Sequence, residues 1–297
     1  MSSLYIIGNG FDLQHGLHTS YWDYRCFLCE NYPQTLLDFE YFPTINKDKK
    51  ELWSDVEKGL EIDYDAIVSI CRDICYCSDT KSYNYAGCEL PYQWIMDFTG
   101  KHFAEWLSSQ DCEVGKKFTI PLDGVYVTFN YTDTLERVYG IADNHIFHIH
   151  GQLSKIDLVT NPLIRKEIQF GTSNQNAEDI QRLLESLYKN HDCYQFILKD
   201  VIDQISRYIK HSSKTIAYNV LKLQSFISQY AIDNVVIMGH SIYGTDQRYY
   251  DKVLIPELRD KPWTIFCYSE NDKTNAKVFA QKNKIKITVK GYEKSNY

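Results

Sequence analysis

Residues 4–21 read LYIIGNGFDLQHGLHTSY, and the fold follows from how this stretch divides. Leu4, Tyr5, Ile6 and Ile7 make a continuous apolar run, the kind that fills a parallel strand buried on both faces. The run stops at Gly8-Asn9-Gly10, and the residues after it read as a loop entering a helix. Glycine has no Cβ and tolerates positive φ, so a strand ending in Gly-x-Gly lets backbone approach a ligand's phosphates. The dinucleotide fingerprint would place a third glycine at position 13, which is leucine; the next glycine is Gly16. The pattern is therefore not that of a dehydrogenase, and a plain tight turn explains it as well.

A chain of 297 residues, 44% apolar and 24% charged, is a globular protein with room for one large domain or two ordinary ones. No apolar run approaches a membrane span, and no basic segment with a hydrophobic core opens the chain, so a cytoplasmic protein without membrane contact is expected. Nine cysteines without framework spacing point to reduced thiols. Net charge is −7 but uneven, with six acids and one lysine over residues 51–65 and seven lysines with one acid from Lys273 onward. Ile285-Lys286-Ile287-Thr288-Val289 alternates as a half-buried edge strand guarded by lysines does, and nucleic acid is not an expected partner.

Along the chain, strand and helix signals alternate, which argues for a parallel α/β sheet. Val125 to Phe129, His145 to Ile149, Val235 to Met238 and Trp263 to Tyr268 read as strands, with a shorter one at Ile168 to Phe170. Two helical blocks, about 22–118 and 176–232, read as insertions forming a cap on a single α/β domain, 1–297. Asp55 and Glu57, inside the acidic run, read as a solvated helix face. In an open parallel sheet ligands bind beyond the carboxyl ends of the strands. Four predicted strand ends carry polar or glycine residues there: Gly8-Asn9-Gly10-Phe11-Asp12, Thr128-Phe129-Asn130-Tyr131-Thr132-Asp133, His148-Ile149-His150-Gly151, and Gly239-His240-Ser241.

These segments, with His15-Gly16-Leu17, Ser20-Tyr21, Trp53-Ser54-Asp55-Val56-Glu57 and Asp246, resemble the AbiH family of bacterial phage abortive-infection proteins in order and spacing. More distantly, Gly8-x-Gly10-Phe11, Thr128-x-Asn130, His150-Gly151 and Gly239-His240-Ser241 are similar to the glycine loop, Thr-Gln-Asn, His-Gly and Gly-Thr-Ser segments of the sirtuin-like NAD-binding fold. Asp133 falls one residue later than the sirtuin aspartate, and the paired Cys-x2-Cys zinc site is absent; Cys26-x2-Cys29 is a single pair and Cys71, Cys75 and Cys77 lack the matching spacing.

The resemblance implies a Rossmann-like, sirtuin-like sheet that binds NAD or a related nucleotide and hydrolyses it to nicotinamide and ADP-ribose, with no metal. His150 would be the proton acceptor and Asn130 would hold a water or a ribose hydroxyl. Gly8, Asn9, Gly10, Phe11 and Asp12 would receive the diphosphate; Asp133, Gly239, His240, Ser241 and Asp246 would complete the nucleotide site. On this reading Gly10→Val removes nucleotide binding and leaves the fold. Two alternatives stay open: a metal-dependent hydrolase or nuclease on His148, His150, Asp133 and His240, and a non-enzymatic nucleotide sensor. A phage-derived trigger and self-association are partners on which the sequence is silent.

Overall fold

In the computed structural model, the opening apolar run is β1 (Ser2–Ile7), an interior strand of a six-stranded sheet. The structure describes residues 2–42, 48–63, 65, 66, 69, 93–110, 113–153, 168–172, 195–212 and 216–292. The other strands are β2 (Val125–Thr128), β3 (Ile146–His148), β4 (Ile232–Met238), β5 (Pro262–Cys267) and β6 (Lys286–Gly291). Every pairing is parallel and the order is β3-β2-β1-β4-β5-β6, so the chain reverses its direction of travel between β1 and β4. That is the doubly wound Rossmann-like arrangement, and the reversal marks its switch point.

Strand alternation explains the uninterrupted apolar run. Leu4 and Ile6 join one buried face with Val125, Val127, Val235 and Ile237, while Ile7 joins the other with Phe11, Tyr126 and Met238. Burying such a side chain stabilises by about 1.5–3 kcal/mol, so a strand covered on both faces cannot carry polar residues in its body. β6 is an edge strand with Lys286 and Lys290 exposed, as its alternation predicts. Residues 168–170, read as a strand, are not one; the Gln169 N–H reaches the His150 carbonyl, but no ladder forms beyond it.

The chain divides into two units. The first, Met1–Asp23 with Ala104–Gln169 and Thr215–Tyr297, contains the whole sheet. Its helices include α1 (Asn9–Gln14), α2 (Ile216–Ile227) and α3 (Glu270–Asn283). Ile216, Leu223 and Ile227 pack α2 on the sheet, although the sequence reading assigned this segment to the second insertion. Ser269 caps α3 by accepting from the Asp272 N–H, and the Asp272 carboxylate accepts the Ser269 N–H in return. Ser269→Ala is expected to lower stability by about 1 kcal/mol, read as a shift in the urea midpoint.

The second unit, Tyr24–Phe103 with Phe170–Lys214, is built on aromatic rings. Phe39 stacks on Phe98 at 4.4 Å, Phe103 on Phe170 at 4.3 Å and Phe42 on Tyr208 at 4.4 Å. Trp53 donates its indole N–H to Glu40 Oε1, which also takes Arg25 Nε, so the Trp-Ser-Asp-Val-Glu segment is tied into this core. Asp55 caps the turn Val56–Gly59. Glu57 corrects the sequence reading: it is buried, because the turn aims it inward from the acidic run. Cys26 and Cys29 are exposed free thiols on the helix Tyr21–Asn31; Cys71, Cys75 and Cys77 lie outside the described residues.

Candidate functional site

The glycines at the switch point serve backbone packing first. The Gly8 N–H donates to the Met238 carbonyl at 3.0 Å and the Gly10 N–H to the Gly239 carbonyl at 2.8 Å, stitching the β1 end to the β4 end. A Cβ on Gly10 would stand 2.8 Å from Gly239 Cα, and one on Gly8 would stand 2.4 Å from His240 Cα. Gly239 has φ +66° and a Cβ there would meet the Phe11 nitrogen at 2.1 Å. The expectation that Gly10→Val spares the fold is therefore corrected: the added methyls collide with backbone, not with an empty cradle. Asn9 is also committed, its amide bridging the Thr19 carbonyl and hydroxyl. Phe11 is a core ring stacked among His15, Phe118 and Tyr139. His15 donates Nδ1–H to the Phe11 carbonyl and accepts the Tyr139 hydroxyl at Nε2, an internal brace.

Beneath the loop lies a buried polar cluster. Asp12 Oδ2 accepts the Thr132 hydroxyl at 2.6 Å, and Asn130 Nδ2 donates to the Gly8 carbonyl at 3.2 Å. Asp12 Oδ1 and Asn130 Oδ1 are buried and have no hydrogen-bond partner among the described residues. Burial raises the Asp12 carboxyl pKa to about 6, partly offset by the Thr132 hydrogen bond. A carboxyl with a folded pKa above its unfolded value of 3.8 favours the protonated fold. Its contribution to stability is full below pH 3.8 and is lost as pH rises to about 6, with no further change above. The loss amounts to about 3 kcal/mol. Asp12→Asn should therefore flatten the stability profile between these pH values and be the more stable protein at pH 7, in urea titrations across pH.

A second set of polar groups comes from the ends of β3 and β4. His150, 2% exposed, points Nε2 at Asp246 Oδ1, 2.9 Å away. A carboxylate only accepts, so Nε2–H is the donor, and in the neutral imidazole this leaves the lone pair on Nδ1. Asp246 Oδ2 lies 3.6 Å from His240 Nε2, and His240 Nδ1 lies 2.9 Å from the Tyr250 hydroxyl. Burial holds the Tyr250 phenol well above its ordinary pKa, so it stays protonated and donates to Nδ1. Phe129 packs between the two imidazoles, with ring centroids 5.6 Å from His150 and 3.9 Å from His240.

Other predicted residues have separate partners. His148 reaches Glu136 Oε1 at 2.8 Å and Asp133 reaches Arg137 Nε at 3.0 Å, four residues on. His148 and Asp133 are thus drawn to partners of their own, away from the Asp246 carboxylate that His150 and His240 face, and among the described residues no three His, Cys, Asp or Glu side chains gather as a metal-binding group.

Beyond β4 and β5 opens a cavity of about 530 Å³, within the range of small-molecule sites. Gly10, Gly239, His240 and Ser241 line it, whereas Asn130, His150, Asp133 and Asp246 do not. Ser241 is exposed and makes a local turn with Tyr243. Among the described residues the predicted site thus separates into a cavity set and a polar set outside it, and His240 belongs to both, lining the cavity and facing Asp246. Sequence reading missed Gln14, Tyr243, Tyr268 and Asn275 on the cavity wall, and Thr132 and Tyr250 behind the polar groups. Thr132 stood inside a segment already singled out, whereas Asn275 lies in a lysine-rich stretch that the sequence reading assigned no site.

The family described as "Bacteriophage abortive infection AbiH" matches residues 4–268. The chain has no significant match to a curated protein or to a solved structure. Among the described residues no helix is long and apolar enough to cross a membrane.

Proposed function

This chain belongs to the AbiH family of bacteriophage abortive infection proteins, and from that premise we propose that it defends by binding NAD at the carboxyl edge of its sheet and hydrolysing it to nicotinamide and ADP-ribose. The observation that carries the reading is the His150–Asp246 pair at 2.9 Å, just past the carboxyl end of β3, with Asn130 just past the end of the neighbouring strand β2 in a doubly wound sheet. Asp246 fixes the His150 tautomer, and the lone pair on Nδ1 is the acceptor for a proton from the attacking water. Asn130 Oδ1 would accept from that water or from a ribose hydroxyl. The bond to the pyridinium breaks through an oxocarbenium-like state, and its leaving group needs no acid. Water supplies hydroxyl to the ribose carbon and its proton goes to His150, while the bonding pair leaves with nicotinamide. No step in this scheme needs a metal, so EDTA is expected to leave the rate unchanged.

Both proposed catalytic residues are buried, so substrate reaches them only after a rearrangement. An abortive-infection enzyme must be idle until infection, and a phage-derived trigger would supply that opening. The experiment is to follow cellular NAD during phage challenge, wild type against His150→Ala. A fall in NAD that depends on His150 is the expected result. Steady NAD in cells that still abort infection would rule the hydrolase out. That outcome would favour a second reading, a nucleotide sensor without chemistry, which is supported by a cavity whose lining omits both Asn130 and His150.

A further inference from the structure

We propose that the cavity beyond β4 and β5 is a nucleobase site, which takes an uncharged planar heterocycle and turns phosphate away. Its walls are aromatic. Tyr292 and Phe266 pack at 5.5 Å on one side, and Tyr243 is held to α3 by its hydroxyl bond to the Asn275 carbonyl. Tyr268 stands at the margin with 78% of its surface exposed, a ring free to cover a flat ligand. Stacking on such rings is indifferent to which base is bound.

The edge of the heterocycle is read by two carboxamides. The side chains of Gln14, from α1, and Asn275, from α3, both line the cavity and make no hydrogen bond to any described residue. A carboxamide presents a donor beside an acceptor, the complement of the adenine edge.

Phosphate meets the opposite chemistry. No lysine or arginine is among the lining residues, while Asp272 is. Its carboxylate already occupies the amino end of α3, accepting the Tyr268 and Ser269 N–H groups. In the glycine loop the Gly10 N–H is spent on the Gly239 carbonyl and the Phe11 N–H on the Gly8 carbonyl. Both helix starts that border the cavity are therefore closed to an anion.

This assignment deepens the nucleotide reading above without depending on cleavage. It is tested by calorimetry on the full chain with adenosine and with pyrophosphate as probes. Adenosine is expected to bind and pyrophosphate neither to bind nor to compete. Gln14→Ala and Asn275→Ala should each weaken adenosine about tenfold, the loss of one well-placed hydrogen bond. Tyr268→Ala, at an exposed position that cannot disturb the fold, should weaken it as well. Pyrophosphate binding as tightly as adenosine, or adenosine binding unchanged by all three substitutions, would overturn the assignment. NAD cleavage by a protein that does not bind adenosine would overturn the base site and leave the hydrolase standing. Adenosine binding with NAD untouched in infection would uphold the base site alone.

Discussion

His150→Ala is expected to cut NAD cleavage by about 10²–10⁴-fold while the protein stays folded, because a positioned proton acceptor contributes that much. The geometry also sets the expectations for its neighbours. Asp246 accepts the Nε2 proton at 2.9 Å and so keeps the lone pair on Nδ1. Asp246→Asn would present a donor to one nitrogen and invert the tautomer, so a large loss of rate is expected there too. Asn130→Ala removes the amide that holds the Gly8 carbonyl as well as the free Oδ1, so its loss combines positioning with a change at the loop. The measurement is nicotinamide release from protein taken from infected cells, compared with the circular dichroism of each variant. A fall of less than about tenfold for His150→Ala would mean that the imidazole only fills the space beside Phe129.

Gly239→Ala is expected to be the most damaging small substitution in the first unit, costing more than about 4 kcal/mol or preventing folding outright. Two costs add. At φ +66° a residue with a Cβ sits in the left-handed region, at about 1–2 kcal/mol. The methyl would also lie 2.1 Å from the Phe11 nitrogen and 2.5 Å from the Gly10 carbonyl carbon. These are backbone atoms of the β1–α1 loop, held by the Gly10–Gly239 hydrogen bond, and they cannot rotate aside as a side chain would. Soluble yield and urea unfolding decide it. A variant within about 1 kcal/mol of wild type would show that the two strand ends do not pack backbone to backbone. Gly16→Ala is the internal contrast: φ is +83°, yet a Cβ there meets nothing within 4 Å, so only the conformational cost remains.

The local signals were strongest where a single physical constraint acts. Leu4-Tyr5-Ile6-Ile7 was legible as a strand covered on both faces, with Leu4, Ile6 and Ile7 buried and Tyr5 partly so. Val125–Thr128 was legible from its β-branched and aromatic content, the Val235–Met238 part of β4 from its apolar run, and the lysine-flanked β6 from its period of two. The parallel sheet and the placing of polar residues at its carboxyl ends were legible for that reason. The work of the glycines was not. Gly-x-Gly states that a Cβ is forbidden, but the intruder can be a phosphate or another strand's backbone, and sequence has no term to tell them apart. Only the pairing of β1 with β4 brings Gly239 against Gly10.

The grouping of side chains was likewise decided in three dimensions. Asp246 was legible as a polar residue near a strand end, but its partner stands 96 positions away, and the turn after β4 is what delivers it to His150. Asp133 was equally plausible from its segment; the backbone aims it at Arg137 on the surface. Gln14 and Asn275 carried no signal because a carboxamide on a helix face has no period and no motif. The sequence by itself therefore determined the strands, their burial and the edge where polar groups collect, since these depend on side-chain alternation along a few residues. Tertiary structure alone decided which polar groups meet, because that depends on strand order and loop path, which bring together residues with no local relation.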